Sequence, residues 1–546
     1  MTRNILLSGT AALLSLSCGA TMSSAADMPL VKVPVQYVKA CNKLDGEGFF
    51  TIPGTDSCIK IGGYIRLQAV TGGSGDGTVT GADNMAPQGV KTRTNTSTLN
   101  YDARAVMSVD VRVPTTLGQV RGYARFGAEQ DTPIGSGYMS VLPQATSNTP
   151  FLMWDRGYVQ FFGFTVGKAR SFFDIWAASD GSLTYGNLRT TGDTDLTGVV
   201  LAAYTYAWGN GFSASVSAEN PNDHFKVGVA DLGLAGQMGL GTFATDNAFT
   251  TGTNQGIGLP DFVGNVRTDQ SWGYAGVSGA LHQVAAGYYS AVAPGAAAPG
   301  CTAGTLCSGF GSPTNQLGWA ASGGADVFVP TGKEDTLGFD IVYADGAIDY
   351  AAKGNRWQLC NSGNNAGFAW GFDGVFDNIG GGIAPFQASG SIDLTKAWSF
   401  NAGYEHHWTD QWKTSAYGGF AVIRYDMTAT DIINSHLPGA GGVAICPPVP
   451  VAGAVQPPLG ISTGGAGNAC SPNYSFWQLG SRTQYSPTAW LDVGVDATYT
   501  RFNTAYKGPT VALAANGGQP SGTYTIDNQN VWTVMGRVQL NFLPGK

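Results

Sequence analysis

Residues 100–113 read NYDARAVMSVDVRV, and a single period governs them. Tyr101, Ala103, Ala105, Met107, Val109, Val111 and Val113 fall on one face. Asn100, Asp102, Arg104, Ser108, Asp110 and Arg112 fall on the other, with Val106 the one apolar residue among them. A repeat of two over so long a run is a β-strand with one apolar and one wet face. WTVMGRVQLNF repeats the pattern, setting Trp532, Val534, Val538, Leu540 and Phe542 against Thr533, Arg537, Gln539 and Asn541. LDVGVDATYT sets Leu491, Val493, Val495, Ala497 and Tyr499 against Asp492, Asp496, Thr498 and Thr500. Runs of about ten residues exceed the usual globular strand and match the roughly 9–11 tilted residues that cross a bilayer.

The composition fits a wall of such strands. Only 12% of residues are charged, with 79 glycines and 11% aromatics, whereas soluble domains carry about 25% charged residues. Mean hydropathy is −0.02 because apolar and polar residues are interleaved. Past the N-terminus no stretch is apolar enough to span a bilayer as a helix. A transmembrane β-barrel has this signature, and a soluble secreted β-protein shares it. The formal charge of −8 argues against nucleic acid as a partner.

Residues 1–26 have the layout of a secretory signal peptide: Arg3, the apolar run ILLSGTAALLSLSCGA, then small residues up to Ala25 and Ala26. SLSC around Cys18 is a poor lipoprotein signal. Export places the mature chain where disulfides persist, and loss of Arg3 takes the charge from −8 to −9. Residues 27–58 then form a short N-terminal segment, and 59–546 the barrel.

Sixteen strand-like segments run from 59–70 to 530–542, the eighth and ninth at 270–279 and 282–292. Short turns such as WGNG, TGKED and SPTA alternate with long connections. Outer-membrane barrels have this asymmetry, with short periplasmic turns and long extracellular loops. FQASGSIDLT also reads as β, but an odd count would put the long 426–473 segment on the short-turn side, so it is assigned to a loop. The expected fold is all-β: a transmembrane antiparallel barrel of about 16 strands, a size at which the lumen is an aqueous channel.

VQYVKACNKLDGEGFFTIPGTDSCIKIGGYIR closely resembles the start of mature alphaproteobacterial porins of the rhizobial type. RGYVQFFGFTVGKARSFFDIW, YTYAWGNGFSASVSAENP, DFVGNVRTDQSWGYAGVSGALHQV, YEHHWTDQWKTSAYGGF and SFWQLGSRTQYSP follow in the same order along nearly all of the mature chain. The resemblance implies an outer-membrane porin: a sixteen-stranded homotrimeric channel for passive diffusion of small hydrophilic solutes and ions, in contact with outer-membrane lipid and lipopolysaccharide. It implies no cofactor and no enzyme activity. One departure is the LPGK tail after Phe542, where such barrels usually end on an aromatic.

Cys41 and Cys58 enclose a loop immediately before the first strand, and a bridge between them is expected. It either fixes the register of the seam where first and last strands meet, or is a generic exported disulfide. Cys301 with Cys307, and Cys446 with Cys470, are further candidate pairs, leaving Cys360. Glu405, His406 and His407 stand together in EHHW, but neighbours on a strand face opposite sides, so the histidines do not share a metal easily. A girdle position beside Trp408 and Trp412 is expected instead. Rival readings are weaker. A phospholipase barrel needs Ser and His on one face, a plugged receptor needs a large N-terminal domain, and an adhesin has no use for lipid-facing rows.

The resemblance also points to a constriction. The third long loop of porins folds inward, and here it follows the fifth strand as SFFDIWAASDGSLTYGNLRTTGDTDLTG, carrying Asp174, Asp180, Asp193 and Asp195. Lys60, Arg66, Arg104, Arg121 and Arg125 lie on the wet faces of the first three strands. Acids facing a basic wall across a narrow gap would set up a transverse field. The mature charge of −9 leans towards cations, although loop charges are screened beyond about 10 Å.

Overall fold

The computed structural model describes residues 41, 48–71, 99–131, 151–177, 183–186, 188–194, 198–224, 228–231, 255–288, 312–352, 356–362, 365–376, 391–436, 470–513 and 522–542. All of them belong to one compact unit, Ala40–Lys546. The proposed leader therefore lies outside the described residues, as do Cys301, Cys307, Cys446 and the LPGK tail.

Sixteen strands form the wall: β1 (Cys58–Thr71), β2 (Leu99–Thr115), β3 (Gly118–Asp131), β4 (Phe151–Phe161), β5 (Phe164–Ala169), β6 (Val199–Gly209), β7 (Phe212–Glu219) and β8 (Asp261–Gln270). They continue as β9 (Gly273–Val284), β10 (Gln316–Phe328), β11 (Thr336–Asp345), β12 (Lys396–His407), β13 (Trp412–Arg424), β14 (Tyr474–Thr488), β15 (Leu491–Asn503) and β16 (Gln529–Phe542). Each pairs antiparallel with its sequence neighbours, and β16 returns to β1 from Gly63↔Phe542 to Thr71↔Val534, closing the barrel. Closure removes the unpaired edges that an open sheet exposes. Hairpin turns are tight where the chain supplies positive φ: Asn210 and Gly211 take φ of 53° and 77°, the left-handed pair that matches strand twist.

The eighth and ninth strands were expected at 270–279 and 282–292; they lie at Asp261–Gln270 and Gly273–Val284, joined at Ser271–Trp272. The outward row of β8 is Phe262, Gly264, Val266 and Thr268, too weakly apolar to announce a strand by period alone. Of FQASGSIDLT, residues 391–395 are described, and among them Asp393–Leu394 form a two-residue strand within a long connection.

Outward rows are apolar and exposed, as in Ile61, Ile65 and Leu67 of β1 and Leu337, Phe339 and Ile341 of β11. These rows pack against no second layer among the described residues, and the largest apolar cluster lies elsewhere. It forms at the long-loop ends of the strands, where Trp370, Phe372, Tyr425, Tyr506 and Ile433 of helix α1 (Met427–His436) pack together. These segments were expected to be simple loops, and they fold into a cap with small sheets of their own.

Cys41 and Cys58 are bonded, with Cα atoms 6.0 Å apart. The loop they enclose contributes Phe50–Thr51, which pairs with Ile59 and Cys58. Those positions of β1 precede the Gly63–Thr71 stretch that pairs with β16 among the described residues, so the loop extends the pairing at this end of the seam. Cys470 is also disulfide-bonded. Replacing Cys41 and Cys58 together by Ser should lower stability by about 3 kcal/mol, the loop-entropy value for a closure of this size. Thermal midpoints in detergent check this, and an unchanged midpoint would leave the bridge without a stabilising role.

Candidate functional site

Parity places Lys60 and Arg66 of β1, Arg104 of β2, and Arg121 and Arg125 of β3 on the inner side of the barrel. They do not form a bare positive face. Arg66 Nη2 lies 3.1 Å from Asp102 and 3.9 Å from Glu129, and Arg104 pairs with Glu129. Arg121 lies 2.9 Å from Asp110, and Arg125 3.0 Å from Asp155. Lys60 sits 5.9 Å over the ring of Phe49. This side is a ladder of paired charges, and the acids that complete it, Asp102 and Asp110, share the wet parity of β2 with the arginines.

The third long connection, residues 170–198, does turn inward. At its root Ser171 Oγ and Phe172 N donate to Glu219 at 2.7 and 3.0 Å. Asn265 of β8 and Ser278 of β9 donate to the carbonyls of Phe172 and Phe173 at 2.6 and 2.7 Å. The loop then crosses to the opposite wall, where Tyr185 N and Thr184 Oγ1 donate to Asp496 of β15 at 2.6 and 2.8 Å. On the way back Arg189 N donates to Gln478 of β14 and Thr190 Oγ1 to Asn401 of β12, both at 2.5 Å.

What lets the loop lie so close is a set of glycines on the lumen parity. A Cβ at Gly338 would strike the Trp176 ring, one at Gly403 would strike Leu183, and one at Gly494 would strike Tyr185 Oη. A Cβ at Gly419 would strike Thr190, and one at Gly276 would lie 3.0 Å from Ile175. Glycine weakens a strand; here each absent side chain is a socket that a loop residue fills. Trp176, Leu183 and Tyr185 are 3%, 4% and 7% exposed. The sockets were legible as glycines on wet faces, but only once the loop's path is known.

Of the four loop acids, Asp180 and Asp195 lie outside the described residues. Asp174 and Asp193 sit near the root rather than against the arginine ladder. Asp174 accepts from Thr194 N and Oγ1 at 2.8 and 2.7 Å, which clasps the two ends of the loop together. Burial pushes the Asp174 carboxyl up to about 6, against the pull of Arg170 and with the push of Asp193. The seated loop therefore takes up a proton that a released loop, at an ordinary 3.8, gives away. Seating should strengthen as pH falls through about 6 towards 4. Hydrogen exchange over 171–194 should show more protection at the acid end, and Asp174→Asn should flatten the profile. Equal pH dependence in the variant would assign the effect to another group.

A network unforeseen from sequence surrounds the root. His224 Nε2 lies 3.1 Å from Glu219 and its ring stacks on Tyr350 at 4.1 Å. Tyr350 Oη donates to Asp261, which also meets His282 Nδ1, both at 2.8 Å. EHHW splits across the wall as strand alternation requires. Glu405 pairs with Arg482 and Lys413, while His406 bonds Asp335 at 2.6 Å and meets the Trp408 ring edge-on at 4.3 Å.

A closed sixteen-strand antiparallel barrel with apolar outer rows and a loop keyed across a polar lumen has the architecture of an outer-membrane β-barrel. A family profile described as "Porin subfamily" matches residues 27–535, so the chain belongs to that porin subfamily. Porin Omp2b of Brucella canis is 28% identical over 273 residues, spanning 49% of this chain and 62% of the relative. Porin Omp2b of Brucella suis is 29% identical over 221 residues, spanning 40% of this chain and 52% of the relative. The matches thus cover less than two thirds of these relatives' length. Among solved structures, the outer membrane channel DcaP of Acinetobacter baumannii superposes with a TM-score of 0.51 at 13% identity, covering 90% of this chain and 99% of that one. That likeness concerns the fold.

Proposed function

We propose that the protein is a porin in action as well as in family, a water-filled channel through which small hydrophilic solutes and ions diffuse passively across the outer membrane. The observation that carries this is the loop keyed across the lumen: a barrel built only as an anchor has no need of five glycine sockets for a constriction. Membership of the porin subfamily favours a channel over an enzyme. Residues 1–26 act as the export signal in this reading, 27–58 as the disulfide-bearing lead-in and 59–546 as the channel. Liposomes carrying the purified protein should swell in small sugars, at rates that fall steeply with solute size. No swelling above empty liposomes would remove the proposal.

The constriction in this reading combines the ladder of Lys60, Arg66, Arg104, Arg121 and Arg125 with the loop acids Asp174, Asp180, Asp193 and Asp195. The two described acids lie near the loop root by β8–β11 and the ladder on β1–β3, which supports a field across the lumen between groups that do not touch. In a salt gradient Arg104→Ala should move the reversal potential towards cations and Asp174→Asn towards anions. If neither variant moves it, these residues do not form the constriction. A homotrimer in contact with lipid and lipopolysaccharide completes the proposal, on the strength of the porin resemblance. A monomer after mild detergent extraction would count against the trimer.

A further inference from the structure

The ladder arginines of β1–β3 all meet carboxylates. Arg537 of β16 does not. Its Nε and Nη2 donate to Gln68 Oε1 at 2.9 and 2.8 Å, and Nη2 also donates to the carbonyl of Tyr185 at 3.1 Å. The guanidinium lies 3.9 Å from the Tyr185 ring centroid. Both hydrogen-bond acceptors are neutral, and Asp102, the register neighbour of Gln68, is already held by Arg66 at 3.1 Å. Among the described residues no carboxylate pairs with Arg537. Its Nη1 has no hydrogen-bond partner there and keeps a trace of exposure. The result is a positive charge fixed in place on two nitrogens and one ring face, with the third nitrogen unpaired among the described residues.

We propose that Arg537 is an anion-binding subsite of the constriction, one that takes the carboxylate or phosphate oxygens of small solutes and biases permeation towards anions. The subsite rests on the channel reading above. A planar guanidinium suits oxyanions better than any other side chain. Because Gln68 and Tyr185 hold it in position, no rotamer freedom is lost when a solute docks. Arg482 lies 5.4 Å from the same Tyr185 ring but is engaged by Glu405. The described loop acids do not cancel the charge, since Asp174 and Asp193 belong to the loop root while Arg537 meets the loop at Tyr185. The −9 total leans towards cations; a fixed positive charge beside the inward loop at Tyr185 opposes that lean.

Planar-bilayer recordings in a KCl gradient, with inorganic phosphate as probe, test this. Arg537→Gln should lower the anion-to-cation permeability ratio at least about fourfold, the Boltzmann factor for one unit charge acting across about 5 Å of water. It should also abolish block by phosphate. Arg537→Lys keeps the charge and loses the planar fork, so it should retain most of the anion preference while weakening phosphate block. If Arg537→Gln leaves the ratio unchanged, or Arg537→Lys loses as much anion preference as Arg537→Gln, Arg537 only holds the loop and the subsite is overturned. Should Arg537→Gln fail to assemble, the phosphate titration of the wild-type channel decides, and absence of block overturns the subsite. A wild-type protein that forms no channel removes the proposed function and the subsite together, whereas a conducting wild type with an indifferent Arg537→Gln removes the subsite alone.

Discussion

Gly338→Val should unseat the inward loop and widen the channel while leaving the barrel closed. The three atoms nearest to a Cβ at this position all belong to the Trp176 side chain, so the inward loop rather than a neighbouring strand takes the first clash. Overpacking a well-filled site typically costs about 1–3 kcal/mol when neighbours can shift. Here the ring would have to overlap the new atom, and its displacement forfeits a burial of the size that makes Trp→Ala cost about 3–5 kcal/mol. Moving the loop is therefore easier than moving the wall. Single-channel conductance should rise, and added protease should cut within 170–198 in the variant but not in the wild type. Gly403→Val should act alike through Leu183. Pairing Gly338→Ala with Trp176→Leu should restore the narrow state by returning volume to the socket. Unchanged conductance and unchanged cleavage in Gly338→Val would mean that the glycines are not sockets.

The second large effect concerns stability. Arg482 is 1% exposed in side chain, and Glu405 supplies a carboxylate to it and to Lys413 Nζ at 3.1 Å. Removing one partner of a buried pair generally costs about 3–5 kcal/mol, because the other charge stays desolvated. Glu405→Gln should fall near about 3 kcal/mol, the lower end, since Asp496 stands opposite Arg482 on β15 and shares its charge. Replacing both, as Glu405→Gln with Arg482→Met, should recover much of the loss. Thermal midpoints in detergent, followed by the shift between folded and heat-unfolded mobility on a gel, give the comparison. A Glu405→Gln barrel that melts with the wild type would show the pair to be dispensable.

The barrel was legible because its walls are written in a period of two: Ile61, Ile65 and Leu67 point to lipid and Lys60, Arg66 and Gln68 to the lumen, whatever the connections do. The rule failed at β8, where Gly264 and Thr268 dilute the apolar row. It was silent about pairing partners. Arg66 and Arg104 face each other across β1 and β2, yet which acid neutralises which arginine depends on register and side-chain reach, and sequence alone does not assign them. The inward loop was foreseen only by resemblance, since its anchors are remote: Thr184 reaches Asp496 across 312 positions and Arg537 reaches Tyr185 across 352. The cap was missed for the same reason. Tyr425 Oη donates to the carbonyl of Trp370 at 2.7 Å from a different long connection, and long connections carry no period from which such a contact is read.

Channel formation is the claim on which the rest depends. Purified protein added to a planar bilayer should insert in discrete steps, each a long-lived increment with a linear current–voltage relation. A membrane that stays silent, with protein shown by its gel mobility to be folded and inserted, would contradict the account at its centre.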